Sequence, residues 1–465
     1  MADRAALDAF WLPDAGPEIE VEERRFGPGD TPLRIPRLVP RVLRQMLDAL
    51  KVRQRRILAP RPLERIIEPV DAVARRLSDP GDSLHADLLE HLPGLTGYSR
   101  QMIAIGLQRM SANWTAEALR GSLEGELGDT AVLEAFQPRR PRGRQRAYGP
   151  TLTVHIFSGN IPGVSVSSLI RALCVKSSSL GKTAVGEPYF AVRFVQALAE
   201  IDRDLAECMA LTHWAGGSRD LEEVAFSEAE AVIAYGSDEA ISDVSCRVPP
   251  RVRYLSYPNR IGAALIARSA LSAAQVGSLA ERAARDVIIF DQQGCVSPHT
   301  IYVEKGGEVD AAELARRLAT ALDRLAAEVP RGAMTHGESI QVHQLRAEAE
   351  MRGATVLASA RGTEWTVILE EGSGFQASPL NRVIYLRSIE DLDAAVSALA
   401  DVGRHLQTVA VAGDASSIER TAAALGACGA TRIVPLGEAS WPAPHWHHDG
   451  RFQFLDLLRF VDLED

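Results

Sequence analysis

The chain of 465 residues has little cysteine: Cys174, Cys208, Cys246, Cys295 and Cys428, an odd number with no CxxC spacing. That excludes a disulfide framework and a cysteine-built zinc site, and fits a reducing compartment. Eighteen uncharged apolar residues never occur in a row. The nearest stretch, 261–280, is cut by Arg268 and several polar residues, so no membrane span is expected. The first residues, MADRAALDAFWLPD, lack the apolar core of a signal peptide. Positive charge is not in excess either. Lys and Arg number 51 against 61 Asp and Glu, and a net charge of −10 argues against a general nucleic-acid binder. Neither the G-x-G-x-x-G nor the G-x-x-x-x-G-K-[ST] phosphate loop is present. The expectation is a soluble cytoplasmic protein without metal.

What is present is a change of texture along the chain. Residues 1–35 read as an irregular, Pro- and Gly-rich arm, and about 36–135 carry apolar residues at helical spacing. The run 138-PRRPRGRQR-146 reads as a solvated linker or as a basic rim for a phosphate-bearing ligand. Beyond it, short apolar strands alternate with helices in two successive series, which predicts an α/β fold with parallel sheets. We place a cofactor-binding domain at 36–262 with its helical N-terminal part, a catalytic domain at 263–440, and a C-terminal segment at 441–465 that returns to the first domain or to an interface.

Three turns at predicted strand ends stand out, because ligands in open α/β sheets bind beyond the carboxyl ends of strands. In 155-HIFSGNIPGVSV-166, Asn160 offers an amide donor that does not ionise; a capping turn explains the same residues. In 176-KSSSLGKTAVGEP-188, Lys182 follows a strand and can reach a phosphate or ribose, although a lone lysine is usually only solvated. In 234-AYGSDEAI-241, Gly236 allows close backbone approach, and Ser237 can donate to a phosphate at a helix start.

Cys295 is the fourth feature. Cys174 and Cys428 sit in apolar runs and read as small buried hydrophobes. Cys295 lies in 290-FDQQGCVSPHT-300, among Gln293, Gly294, Ser297 and Pro298. It directly follows the apolar run 286-DVIIF-290, read as a strand. Backbone N–H groups at the start of a loop or helix there would stabilise a thiolate. On residue chemistry alone, nucleophile and structural cysteine are evenly balanced.

The order of these elements resembles the aldehyde dehydrogenase superfamily, and more closely its acyl-CoA reductase branch of LuxC-like fatty acid reductases. The motifs that carry the resemblance are 159-GNIPGVSVSSLIRAL-173, 214-WAGGS-218, 292-QQGCVSP-298 and 448-HDGRFQFLDLLRFVDLE-464. The resemblance covers roughly 145–465. It implies an aldehyde-dehydrogenase-like pair of tandem doubly wound α/β domains with a helical N-terminal region. It implies Cys295 as the acyl-accepting nucleophile and Asn160, with the Cys295 backbone N–H, as the oxyanion hole. Lys182 would bind the adenosine ribose or its 2′-phosphate, Gly236 and Ser237 would sit by the pyrophosphate, and Gly216 and Gly217 would line the cofactor cleft. The expected reaction is NADPH-dependent reduction of a long-chain acyl thioester, on CoA or acyl-carrier protein, to the aldehyde. The alternatives are a CoA-independent aldehyde oxidoreductase and a catalytically silent subunit of an acyl-processing complex. A homo-oligomer is compatible with either.

Departures from the superfamily sharpen this. Hydrolytic aldehyde dehydrogenases carry a glutamate base where this chain has 254-YLSYPNRIG-262, without an acid. A thioester is then poorly served with water, which favours exchange with a thiol. The Lys-Pro-Ser-Glu motif becomes 182-KTAV-185, and Val185 replaces an acid that would repel a 2′-phosphate, so NADPH is expected before NADH. The Glu-x-Phe-Gly-Pro motif becomes 375-FQASP-379, again without its glutamate. The histidines of 445-HWHHDG-450 read as polar surface, since no carboxylate–histidine spacing supports a metal. His299 is a weak candidate for a base beside Cys295.

Overall fold

Five parallel strands make one sheet in the order Arg253–Tyr257, Ala231–Tyr235, Leu152–Ile156, Ser178–Lys182 and Met209–Thr212. Leu152–Ile156 comes first in the chain and later strands add on both of its sides, so the strand order reverses between it and Ala231–Tyr235. Ala231–Tyr235 is buried along its whole length, as expected where both faces are covered. Ser178–Lys182 is polar yet buried and satisfies its hydroxyls inside: Ser178 donates to the Leu50 carbonyl at 3.0 Å, and Ser179 meets His155 at 3.1 Å. The computed structural model describes residues 6–13, 19–139 and 141–464. It divides into two units. This sheet belongs to the first, which holds residues up to Thr96, Ile103–Pro258 and those from Ala443 onward.

The same unit corrects two expectations. The N-terminal arm is not irregular. Val21–Phe26 and Thr31–Pro36 pair antiparallel, with Phe26, Leu33 and Ile35 turned inward. Charged residues on the exposed positions, Glu23, Arg24, Arg25 and Arg34, hide that alternation in the sequence. The arginine run is not a linker. Arg144–Tyr148 pairs antiparallel with Gln137–Pro138 on one side and Arg459–Leu463 on the other. Arg146 and Arg459 stack over the Tyr148 ring at 4.8 and 5.3 Å. Arg140 lies outside the described residues.

The second unit, Gly97–Met102 with Asn259–Pro442, holds a seven-stranded sheet. Its order is Thr355–Ala358, Thr366–Glu371, Val383–Ile389, Pro298–Glu304, Ile261–Ile266, Leu406–Ala412 and Arg432–Pro435, parallel except at the first pair. Its core includes Leu265, Tyr302, Leu399 and Val409. Here the stretch 286–290 departs from expectation: it is not a strand. Val276–Ile288 is a helix burying Val276, Leu279, Ala280, Ala283, Ala284, Val287 and Ile288, a three-and-four spacing that absorbs the apolar run VII. The chain then reverses through left-handed residues and enters strand Pro298–Glu304. Cys295 therefore precedes a strand, and no helix starts behind it. Among the described residues no helix is long and apolar enough to cross a membrane.

Candidate active site

In the first unit, Asn160, Lys182, Gly236 and Ser237 all fall at the carboxyl ends of three neighbouring strands, around the point where the strand order reverses. That crevice is where an open α/β sheet takes its ligand. Asn160 is exposed in the bend after Leu152–Ile156. Its turn is set by backbone approach: a Cβ on Gly159 would lie 2.8 Å from both the Glu187 nitrogen and the Gly186 Cα. Glu187 is buried and accepts from the Tyr189 and Phe190 N–H groups at 2.8 and 2.6 Å, which fixes the facing loop. Sequence reasoning missed this residue. Its signal is a Glu two and three places before the amides that it caps.

Lys182 ends Ser178–Lys182 half-buried. Burial first, then the charge of Arg247, hold its ammonium below the usual lysine range. Arg247 is a second cation near this position that the sequence did not single out. Val185 is 64% exposed beside it. Gly216 and Gly217 follow Met209–Thr212, and Gly217 has φ +81°; neither has any atom within 4 Å of where a Cβ would stand. The neighbouring Trp214 indole N–H is buried without a partner. Ser237 caps helix Asp238–Ser245 by accepting from the Ala240 N–H at 3.3 Å. Glu239 is held below the usual carboxylate range by its own N–H and Ser237, so part of this helix start already serves a carboxylate. Open glycine backbone and a half-buried lysine suit a phosphate-bearing dinucleotide.

In the second unit, Cys295 is half-buried in the turn 293–297. Cys174 and Cys208 are buried and both thiols are pushed up to about 12 by burial. Cys246 is exposed, and Cys428, expected in the core, is half-buried with its Sγ 3.8 Å from the Val396 carbonyl. The cysteine turn is tied down on both sides. Gln292 donates to the Pro298 carbonyl at 2.6 Å, and Gln293 donates to the Asn381 side chain at 3.4 Å.

Two candidate bases near Cys295 are occupied. His299 accepts from the Ser378 N–H through Nδ1 at 3.0 Å, and burial pushes it down to about 4. Asp291 accepts from Arg382 at 2.8 Å and from the Gly332 N–H at 2.9 Å. The 375–379 segment lies along the strand after the cysteine, where the Gln376 carbonyl accepts from Thr300 at 2.9 Å. The tail histidines serve as rings. His448 stacks on Tyr257 at 4.4 Å and on Trp446 at 4.7 Å, and His447 meets Phe452 edge-on. Among the described residues no group of three potential ligands could hold a metal ion.

The family model for the acyl-CoA reductase (LuxC) matches residues 58–460. The long-chain acyl-protein thioester reductase of Aliivibrio fischeri is 25% identical over 420 residues, covering 86% of this chain and 82% of the relative. That of Photobacterium phosphoreum is 24% identical over 425 residues, covering 86% and 81%. Among solved structures, a putative aldehyde dehydrogenase, PutA, from Anabaena variabilis superposes with TM-score 0.73 at 16% identity, over 96% of this chain and 97% of that one. An oxidoreductase from Marinobacter aquaeolei gives 0.76 at 14%, over 96% and 95%. The fold is that of the aldehyde dehydrogenases.

Proposed function

The chain belongs to the acyl-CoA reductase (LuxC) family, and from that premise we propose that it reduces a long-chain acyl thioester to the free aldehyde through an S-acyl intermediate on Cys295. The acyl group would come from acyl-CoA or acyl-carrier protein. The observation that carries this reading is the state of Cys295 and its neighbours: a half-buried thiol on a fixed turn, with His299 and Asp291 already bonded elsewhere.

The Cys295 thiolate attacks the thioester carbonyl carbon. The tetrahedral oxyanion takes hydrogen bonds from the Asn160 amide and the Cys295 backbone N–H. The carbon–sulfur bond to the carrier breaks, the carrier thiolate leaves, and the acyl group stays on Cys295. Lys182, Gly216, Gly217, Gly236 and Ser237 would hold NADPH, which when bound would supply the hydride that reduces the acyl carbon. Collapse of the resulting thiohemiacetal frees the aldehyde and returns the Cys295 thiolate. Val185, in place of an acid, favours NADPH over NADH. The absence of an acid in 254–262, with Asp291 and His299 occupied, removes these groups as bases for water and so favours survival of the thioester until hydride arrives.

Intact-protein mass after incubation with acyl-CoAs of graded length and no NADPH tests this. The expected result is one acyl mass on the native chain and none on Cys295→Ala. NADPH oxidation that survives Cys295→Ala undiminished overturns the assignment.

A further inference from the structure

The carboxyl ends of strands Ser178–Lys182 and Met209–Thr212, in the first unit, hold polar groups without a partner among the described residues. Lys182 and Thr212 are in register across this parallel pair, so their side chains leave the same face of the sheet. Leu180 and Ala210 lie on that face two places earlier, and Trp214, two places beyond Thr212, packs into the same apolar cluster as they do. Thr212 is fully buried and Trp214 is 5% exposed. Neither the Thr212 hydroxyl nor the Trp214 indole N–H has a hydrogen-bond partner among the described residues. The Lys182 ammonium is half-buried, and no described carboxylate pairs with it. Buried polar groups are nearly always bonded, and a cation taken from water is normally paired. Three exceptions on one face, at adjoining strand ends beside a ligand crevice, mark a place where a ligand completes the bonding.

The strand ends themselves are pinned. The Thr183 N–H and hydroxyl both donate to the Thr212 carbonyl, at 2.8 and 3.3 Å, and His213 donates through Nδ1 to the Thr183 carbonyl at 3.1 Å. An ammonium, an indole N–H and a hydroxyl all donate, which selects an oxyanion. Buried Glu222, on helix Arg219–Glu228 over the same cluster, does not compete, because Arg247 pairs with it. The position three beyond Lys182 is Val185, not an acid. Gly236 and Ser237 follow a strand two places away in the sheet, so about 10 Å of strand spacing separates them from Lys182. A nucleotide carrying phosphate on both its 5′ and 2′ oxygens spans such a gap. We propose that Thr212 and Trp214 join Lys182 in the receptor for the cofactor's 2′-phosphate, so that three donors, and not the lysine alone, distinguish NADPH from NADH. This rests on the reading of the crevice as the NADPH site.

The test is calorimetric titration of the full chain with adenosine 2′,5′-bisphosphate and with adenosine 5′-monophosphate, which differ only in the 2′-phosphate. The native chain should bind the bisphosphate more tightly. Trp214→Phe keeps a ring and loses the N–H, and Thr212→Val keeps the shape and loses the hydroxyl. Each should weaken bisphosphate binding about tenfold and leave the monophosphate unchanged. The hydroxyl has no partner in the free chain, so Thr212→Val should unfold at the same urea concentration as the native chain or a higher one. Variants that weaken both nucleotides alike would mark packing of the crevice only, and variants that weaken neither would leave the two groups to water; either result overturns the proposal. Should Trp214→Phe fail to fold, Thr212→Val decides on the same readings. Equal binding of the two nucleotides by the native chain overturns the 2′-phosphate receptor and leaves dinucleotide binding standing. Binding of neither overturns the cofactor reading together with it.

Discussion

Arg382 and Asp291 form a buried ion pair that joins two left-handed turns, one of which leads into Cys295. Arg382 is fully buried and Asp291 is 5% exposed; their closest approach is 2.7 Å. Phe290, Asp291 and Gln292 have φ of 47°, 50° and 68°, and Leu380, Asn381 and Arg382 have φ of 64°, 56° and 63°. Left-handed backbone costs about 1–2 kcal/mol for each such residue. The Asn381 N–H donates to the Asp291 carbonyl at 3.0 Å, so main chain and side chains join the two turns. Burial raises the Asp291 carboxyl and lowers the Arg382 guanidinium, so each partner is held against its preference for water. Such a pair is poorly explained as a source of stability. It is well explained as the device that keeps a strained turn in one shape.

Removing one partner should therefore be costly and removing both less so. Arg382→Met leaves Asp291 buried and unpaired, and should destabilise the second unit by about 3–5 kcal/mol. Adding Asp291→Asn removes the orphan charge and keeps an acceptor for the Gly332 N–H. The double variant should unfold at a higher urea concentration than Arg382→Met alone. Equal midpoints would show that the pair does not act as a unit.

Gly159 makes a second, local prediction. A Cβ there would strike backbone of residues 186 and 187, which cannot rotate away. Gly159→Ala should shift the turn that carries Asn160. A misplacement of about 1 Å can cost on the order of 10²-fold in rate, so kcat should fall far more than cofactor binding. Gly216→Ala, where no atom lies within 4 Å, should fold normally and act on the KM for cofactor. Steady-state kinetics of both variants separate the two behaviours.

The contrast between these residues shows what was legible in the sequence. The strand-end turns and the cysteine turn were readable because Gly, Pro, Asn and Ser act locally through backbone geometry. The run VIIF misled because four apolar residues suit a buried strand and a buried helix end equally; only the spacing back to Val276 separates them. The N-terminal hairpin was obscured by charged outward positions, Glu23, Arg24, Arg25 and Arg34. Arg382 was not legible at all. It pairs with a turn far away along the chain, and no local pattern distinguishes it from a surface arginine.

Val185 bears on cofactor choice. It is 64% exposed, so Val185→Glu should leave stability within about 0.5 kcal/mol. A carboxylate at this position can accept from ribose hydroxyls and repels a 2′-phosphate. The ratio of kcat/KM for NADPH over NADH should drop by about tenfold or more, corresponding to roughly 1.4 kcal/mol of lost preference. An unchanged ratio would place the 2′-phosphate determinant elsewhere.

Asp286 gives the protein a signed pH dependence. Burial, partly offset by the Gly437 and Ala439 N–H groups, raises its carboxyl from 3.8 to about 7. The folded state then holds a proton that the unfolded chain has released. The contribution to stability is full below about pH 4 and is lost as pH rises toward 7. Asp286→Asn has no such proton to lose, and whatever it costs through its two amide partners does not vary with pH. Between pH 5 and 8 the native chain should therefore lose roughly 2–3 kcal/mol relative to Asp286→Asn, at about 1.4 kcal/mol per pH unit up to the folded-state value. Urea unfolding of both at pH 5, 6, 7 and 8 measures this, and parallel profiles would show that the carboxyl is already ionised throughout.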